Sequence, residues 1–231
     1  MAGKLYGVGV GPGDPELLTL KALRVIGESD VIAVPGRRPR ETVAYRIAAE
    51  ACKDMGQKEL LGIHMPMTKD EDELEKSHEE GIKLLREQLD QGKSVAFLTL
   101  GDPTVYSTYI YLHHRAAELG YETEIVSGVP SFCAAAARLN TEIAKKAEQI
   151  HIVPASYQVQ EALELPGTKI LMKAGKQLSK VKKALSAGQD TVVMVENCGM
   201  ESERVYEGIG QIPDEAGYYT LLFVKGEGGA R

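Results

Sequence analysis

Cysteine is scarce in this chain: Cys52, Cys133 and Cys198 are the only three, too far apart for a CxxC metal or redox pair. An odd, sparse set of thiols offers no disulfide framework and suits a reducing, cytoplasmic setting. Basic excess is lacking too. The formal net charge is −6 over 231 residues, which argues against a broad nucleic-acid-binding face but leaves room for an anionic small molecule. No long apolar run opens the chain. Lys4 is the only basic residue ahead of the first apolar stretch, and Gly7, Gly9, Gly11, Pro12 and Gly13 break it before acidic Asp14 and Glu16. Neither a secretory signal nor a membrane span is expected. His113 and His114 have no ligand partner at helical spacing, and His78 and His151 stand alone, so no metal site is expected. Low-complexity tracts and short-period repeats are absent.

What is present is the balance of a globular enzyme: 43% apolar and 26% charged residues, in a length comfortable for two ordinary domains. Strand-like stretches at 5–10, 30–35, 59–67 and 94–100 alternate with helical spacing at 16–26, 42–55, 70–91 and 105–119. That alternation implies parallel strands joined by crossover helices. Past Gly120 the pattern loosens. Strands are expected at 122–126, 149–153, 169–173 and 191–196, helices at 131–139 and 176–187, and a hairpin-like pair at 204–212 and 218–224. A border near residues 118–121 would give domains 1–119 and 120–231. The acidic run at 70–80 reads as a solvated helix face.

The sharpest feature is a repeated corner. Gly13-Asp14-Pro15 follows the first strand and Gly101-Asp102-Pro103 follows the strand ending at Leu100. Each puts glycine at a strand exit, Asp where it can cap the next helix, and Pro at a position needing no N–H. Ligands of parallel α/β sheets bind outside the carboxyl ends of strands, so the two corners are candidate walls of one site. The run Gly7-Val8-Gly9-Val10-Gly11-Pro12-Gly13 is denser in glycine than a turn needs. It is no dinucleotide fingerprint: the sixth position is Pro12 counting from Gly7 and Asp14 counting from Gly9. Alternating glycines instead keep one side of an extended segment small, so that a ligand can approach the backbone.

The stretch from Tyr6 through Gly7-Val8-Gly9-Val10-Gly11-Pro12-Gly13-Asp14-Pro15 to Thr19 resembles the opening motif of the tetrapyrrole methylases, the S-adenosylmethionine-dependent enzymes of cobalamin and sirohaem synthesis. Leu100-Gly101-Asp102-Pro103, Gly128-Val129-Pro130-Ser131-Phe132, Leu171-Met172-Lys173 and Val195-Glu196-Asn197-Cys198-Gly199 follow in the family's order. Within the family, His64-Met65-Pro66-Met67-Thr68 and the segment from Thr99 to Tyr109 most resemble the branch methylating C20 of precorrin-2 or cobalt-factor II. The resemblance implies a homodimer of two α/β domains, with the active site in the cleft between them. Pro12, Leu100, Gly101, Asp102, Val105, Ser131, Phe132, Met172, Asn197 and Cys198 would then bind the donor. Cys198 stands where relatives often have glycine, which leaves open whether its backbone or its side chain faces the ligand.

Methyl transfer from sulfonium to carbon is an in-line displacement. The task is mainly positioning, which supplies up to ~7–11 kcal/mol in the best intramolecular cases. No catalytic base is identified; His64, Tyr106 and Tyr109 are the candidates, the two tyrosines sharing one helix face in this reading. Arg37, Arg38 and Arg40 suit the carboxylates of a tetrapyrrole, because guanidinium binds carboxylate in bidentate fashion; a solvated loop is the competing account. Rival functions are methylation at another tetrapyrrole position, methylation of a macromolecule as in diphthine synthase, and a nucleotide-binding protein that is no methyltransferase. Calorimetric titration separates the last: S-adenosylhomocysteine should give binding heat and NAD none, and the reverse result would end this reading.

Overall fold

The structure, a computed structural model, describes residues 2–68, 70–155, 159–186 and 190–226. Two compact units divide the chain after Pro130. The first contains β1 (Lys4–Gly9), α1 (Leu20–Glu28), β2 (Val31–Pro35), α2 (Val43–Ala51), β3 (Glu59–Ile63), α3 (Glu71–Leu89), β4 (Val95–Thr99), α4 (Tyr109–Glu118) and β5 (Glu122–Val126). Its five strands are all parallel, in the order β3-β2-β4-β1-β5. β2 and β4 are apolar except for the terminal Thr99 and buried along nearly their whole length, as strands covered on both faces must be.

The coverage is split between faces. α1 and α2 pack with Val8, Val10, Ile32, Val34, Ala96 and Leu98. α3 and α4 pack with Leu5, Val31, Ala33, Val95 and Phe97 on the other face. The chain leaving β4 therefore crosses to the opposite face from those leaving its neighbours β1 and β2. A crevice opens where such connections diverge, outside the carboxyl ends of the strands. The fold thus places both Gly-Asp-Pro corners at one switch point.

The helices begin later than the sequence pattern implies. Asp14 Oδ1 accepts from the Glu16 N–H at 2.8 Å, but it caps only the 3-10 turn Pro15–Leu17. α1 starts beyond that turn, where Thr19 Oγ1 accepts from the Ala22 N–H. At the second corner α4 starts at Tyr109 rather than Val105, because Tyr106 takes a left-handed backbone with φ 49°. Tyr106 and Tyr109 therefore share no helix face. Tyr106 is 46% exposed and Tyr109 is fully buried. The acidic start of α3 is solvated as expected, with Asp70 accepting from the Asp72 and Glu73 N–H groups.

The border expected near residues 118–121 lies ahead of β5, yet β5 pairs with β1 from Lys4↔Glu122 to Val8↔Val126. Residues 120–130 accordingly belong with the first unit. The second unit holds α5 (Ser131–Arg138), β6 (Ile150–Pro154), α6 (Val159–Leu163), β7 (Thr168–Met172), α7 (Leu178–Leu185), β8 (Thr191–Glu196), β9 (Arg204–Glu207) and β10 (Thr220–Lys225). Its sheet runs β6-β7-β10-β8-β9 and is mixed. The expected hairpin of the last two strands does not form. β10, buried at every position but the last, inserts between β7 and β8, while exposed β9 takes the edge. A strand whose middle, Leu221 to Val224, is wholly apolar reduces its exposure most at the sheet centre. Residue 187, the end expected for the helix at 176–187, lies outside the described residues.

Gly7 shows how tightly the first sheet is filled. A Cβ there would fall 1.9 Å from Tyr109 Cε1, so the glycine admits the protein's own aromatic ring. Tyr109 also packs on Phe97 with ring centroids 5.1 Å apart. Gly7→Ala should therefore destabilise the protein by about 1–3 kcal/mol, as overpacked cores do. Urea unfolding checks this, and adding Tyr109→Leu should recover part of the loss; equal, additive losses would show that the ring is not the obstacle.

Candidate active site

The two strand exits are joined directly. Val10 N–H donates to the Thr99 carbonyl at 3.0 Å. Gly11 N–H then donates to the Gly101 carbonyl at 3.3 Å, and Gly101 N–H returns to Gly11 at 2.8 Å. This reciprocal pair is an antiparallel bridge at the end of two parallel strands. Both chains must turn sharply to form it, and both glycines sit in the left-handed region, at φ 75° and 70°. A side chain at either position would be strained. Pro12 and Gly13 are buried beyond the bridge, and Leu100 and Val105 are half-buried beside it.

The glycine alternation has a different cause from the one its spacing implied. A Cβ at Gly9 would lie 2.5 Å from the Gly101 carbonyl oxygen and 2.6 Å from Gly128 N. Gly7 and Gly9 thus make room for Tyr109 and for neighbouring backbone, not for a ligand.

Charge at those corners has one sign. Residues 11–18 and 99–108 include Asp14, Glu16 and Asp102 and no Lys or Arg. A dinucleotide's pyrophosphate would be repelled there, whereas a donor carrying a sulfonium and an ammonium group would be attracted. The residues present therefore fit S-adenosylmethionine. Pro12, Leu100 and Val105 beside the bridge are apolar.

The loops after β2 and β3 reach the same edge. Arg37, Arg38 and Arg40 are all exposed. Arg38 pairs with Glu41 at 3.3 Å, and the Arg40 guanidinium lies 5.9 Å from the Tyr45 ring centroid. Arg37 has no ion pair among the described residues; its backbone is seated over Gly62, where a Cβ would meet the Arg37 carbonyl at 3.0 Å. His64 is exposed, its carbonyl held by Ser77 Oγ at 2.6 Å. Thr108 Oγ1 donates to Met65 Sδ at 3.4 Å, which ties this loop to the β4 corner.

Tyr109 is withdrawn from any reaction. Its hydroxyl meets His113 Nδ1 at 3.1 Å, and burial pushes the phenol well above its ordinary range. A group that resists ionisation behind a sheet cannot serve as a base at the strand ends. Tyr106 and His64 keep accessible side chains. The left-handed turn at Tyr106 had no sequence signal. Backbone held in that region by its surroundings is often functional.

In the second unit the named residues cluster at the start of β10. Lys173, just past Met172, donates its N–H to the Thr220 carbonyl at 3.1 Å, and Asn197 donates to Tyr219 at 2.9 Å. Both have left-handed backbones, φ 59° and 54°. Asn commonly adopts that conformation and Gly199 follows it, so the Asn197 turn is legible; Lys173 carries no such signal. Lys173 Nζ lies 5.4 Å from the Tyr218 ring centroid. Cys198 is buried, at 7% exposure. Ser131 and Phe132 are half-buried in the first turn of α5.

Two α/β units, with glycine-lined strand exits suited to a cationic donor, define a methyltransferase-like architecture. Residues 4–212 match the family "Tetrapyrrole (Corrin/Porphyrin) Methylases", and the chain belongs to that family. It is 36% identical to a probable cobalt-precorrin-2 C(20)-methyltransferase of Methanocaldococcus jannaschii, over 89% of this chain and 87% of the relative. Identity is 30% to the cobalt-precorrin-2 C(20)-methyltransferase of Salmonella typhimurium, over 97% of both chains. A solved structure of uroporphyrin-III C-methyl transferase from Thermus thermophilus, complexed with S-adenyl homocysteine, shares the fold with a TM-score of 0.74 and 23% identity, over 97% of this chain and 98% of that one. No described helix is long and apolar enough to cross a membrane, and no cluster of three or more metal-ligating side chains occurs among the described residues.

Tyr109→Phe should leave the methyl-transfer rate within about twofold, while losing the His113 bond costs about 0.5–1.5 kcal/mol of stability. Steady-state kinetics beside urea unfolding check this; a rate loss of a hundredfold or more would restore Tyr109 as a catalytic group.

Proposed function

We propose that this protein transfers a methyl group from S-adenosylmethionine to C20 of precorrin-2 or its cobalt-bearing counterpart, in cobalamin synthesis. The observation that carries the reading is full-length similarity to two relatives bearing that name. Both names specify the cobalt form, which favours the cobalt-bearing ring as the substrate. The acidic, lysine- and arginine-free corners support a cationic donor, and the exposed arginines after β2 support a substrate rich in carboxylates. A cytoplasmic homodimer is part of the same proposal.

The donor, when bound, supplies an electrophilic methyl group. Within this reading Pro12, Leu100, Gly101, Val105 and the Asp102 backbone are the donor's candidate contacts in the first unit. Ser131, Phe132, Met172, Asn197 and Cys198 are its candidate contacts in the second unit. The meso carbon of an electron-rich tetrapyrrole is enamine-like and needs no strong activation. The protein's work is to align carbon, methyl and sulfur and to exclude water from the sulfonium as its charge disappears. Arg37 anchors a ring carboxylate at the rim, and Tyr106 or His64 stands where a proton can be removed from the methylated carbon.

Incubating the purified protein with labelled donor and each ring separately tests the proposal. Label should enter the cobalt-bearing ring at C20 faster than metal-free precorrin-2. Incorporation at another ring position, or into a protein or RNA acceptor alone, would refute it. Arg37→Ala should raise KM for the ring roughly threefold to tenfold with little change in kcat, as loss of one exposed charge-assisted contact does.

A further inference from the structure

The two Gly-Asp-Pro corners share a sequence but not a duty. Asp14 uses one oxygen to cap a local turn through the Glu16 N–H and is only half-buried. Asp102 is 7% exposed and both of its oxygens are engaged. Oδ1 accepts from the Thr104 N–H at 2.8 Å and the Thr104 hydroxyl at 2.5 Å. Oδ2 accepts from the buried N–H of Gly128 at 3.0 Å, 26 positions along the chain.

Gly128 lies in the loop after β5, wedged against both strand exits. A Cβ on it would fall 2.2 Å from the Gly101 carbonyl oxygen and 2.8 Å from Gly9 Cα. The same loop is held from the other side by Thr19 Oγ1, which donates to the Ser127 carbonyl at 3.4 Å. Three chain segments thus converge with no side chain between them, and one carboxylate ties the third to the other two. A turn cap needs only a single acceptor oxygen, as Asp14 shows. Linking the turn to Gly128 needs acceptors on both sides of one planar group, which a carboxylate has and an amide lacks.

We infer that the Asp102 carboxylate is a positioning group for the donor site: it bolts the loop after β5 onto the exits of β1 and β4, and it governs donor affinity through Gly128 rather than by side-chain contact with the donor. The inference rests on the proposed function for the donor's identity, but not for the lock itself. Its carboxylate already serves three donors and is shielded from the crevice. The backbone of residues 127–130 leads directly into Ser131, so slack at Gly128 would propagate along the chain to that candidate contact.

Asp102→Asn tests this in the full-length protein. The amide can face Gly128 or Thr104 with its oxygen, but not both, and the other N–H then meets a donor. Without ligand, amide exchange at Gly128 measured by NMR should quicken by about tenfold or more, the effect of losing one buried charge-assisted bond. Calorimetry should show S-adenosylhomocysteine binding weakened by about tenfold. Gly128→Ala should weaken it comparably, and the double variant should be no worse than the poorer single one, since both break the same lock. Weaker binding with Gly128 protection unchanged would mean that the Asp102 carboxylate contacts the donor directly, overturning the inference. Faster exchange with unchanged affinity would also overturn it, by separating the lock from the donor. If the wild-type protein gives no heat with S-adenosylhomocysteine, the proposed function fails, while Gly128 exchange still reports on the lock alone.

Discussion

Two hydrogen bonds between Gly11 and Gly101 set the terms for the rest of the site. β1 and β4 run side by side in parallel, and parallel strands normally send their chains away in separate directions at the carboxyl end. Here both chains bend back and meet in an antiparallel bridge. Such a bend demands left-handed backbone at both residues, which glycine adopts at no steric cost. The bridge closes the floor of the crevice that the split helix coverage opens. It also makes that floor out of backbone, so whatever binds there meets amide and carbonyl groups rather than flexible side chains.

Around the floor the charges are sorted by location. The two corners carry Asp14, Glu16 and Asp102 without a compensating Lys or Arg, while the loop after β2 carries Arg37, Arg38 and Arg40. On the proposed reading, a cationic donor and an anionic macrocycle are drawn to different parts of one edge. The second unit repeats the use of unusual backbone: Lys173 and Asn197, both left-handed, flank the start of β10 where it enters between β7 and β8. Strained non-glycine residues persist only where their surroundings over-determine them, and Lys173 and Asn197 stand one residue past the ends of β7 and β8.

Much of this was legible in the sequence, because continuous apolar strands and amphipathic helices leave patterns in the order of residues along the chain. The first four parallel strands, the two corners and the solvated face of α3 all follow from such patterns. What escaped depends on contacts between distant segments. The helix after the second corner begins at Tyr109, not Val105, because Tyr106 turns left-handed to bury Tyr109 against Gly7 and Phe97. β10 enters the sheet interior because its apolar faces both need cover, a choice local spacing cannot reveal. β5 stays with the first unit through its ladder to β1, whereas the loosening pattern after Gly120 pointed to an earlier border. Glycine density marked the right segment, but Gly7 and Gly9 yield space to the protein itself. The full engagement of Asp102 with Thr104 and Gly128 required knowing what lay opposite it.

The account's central claim is that the joined exits of β1 and β4 are where the methyl donor binds. Backbone amide shifts followed by NMR during titration with S-adenosylhomocysteine test it most directly. The largest changes are expected at Val10, Gly11, Gly13, Gly101 and Val105, with smaller ones at the turns around Lys173 and Asn197. Saturable binding that leaves the Gly11 and Gly101 amides unmoved and shifts residues elsewhere would contradict it.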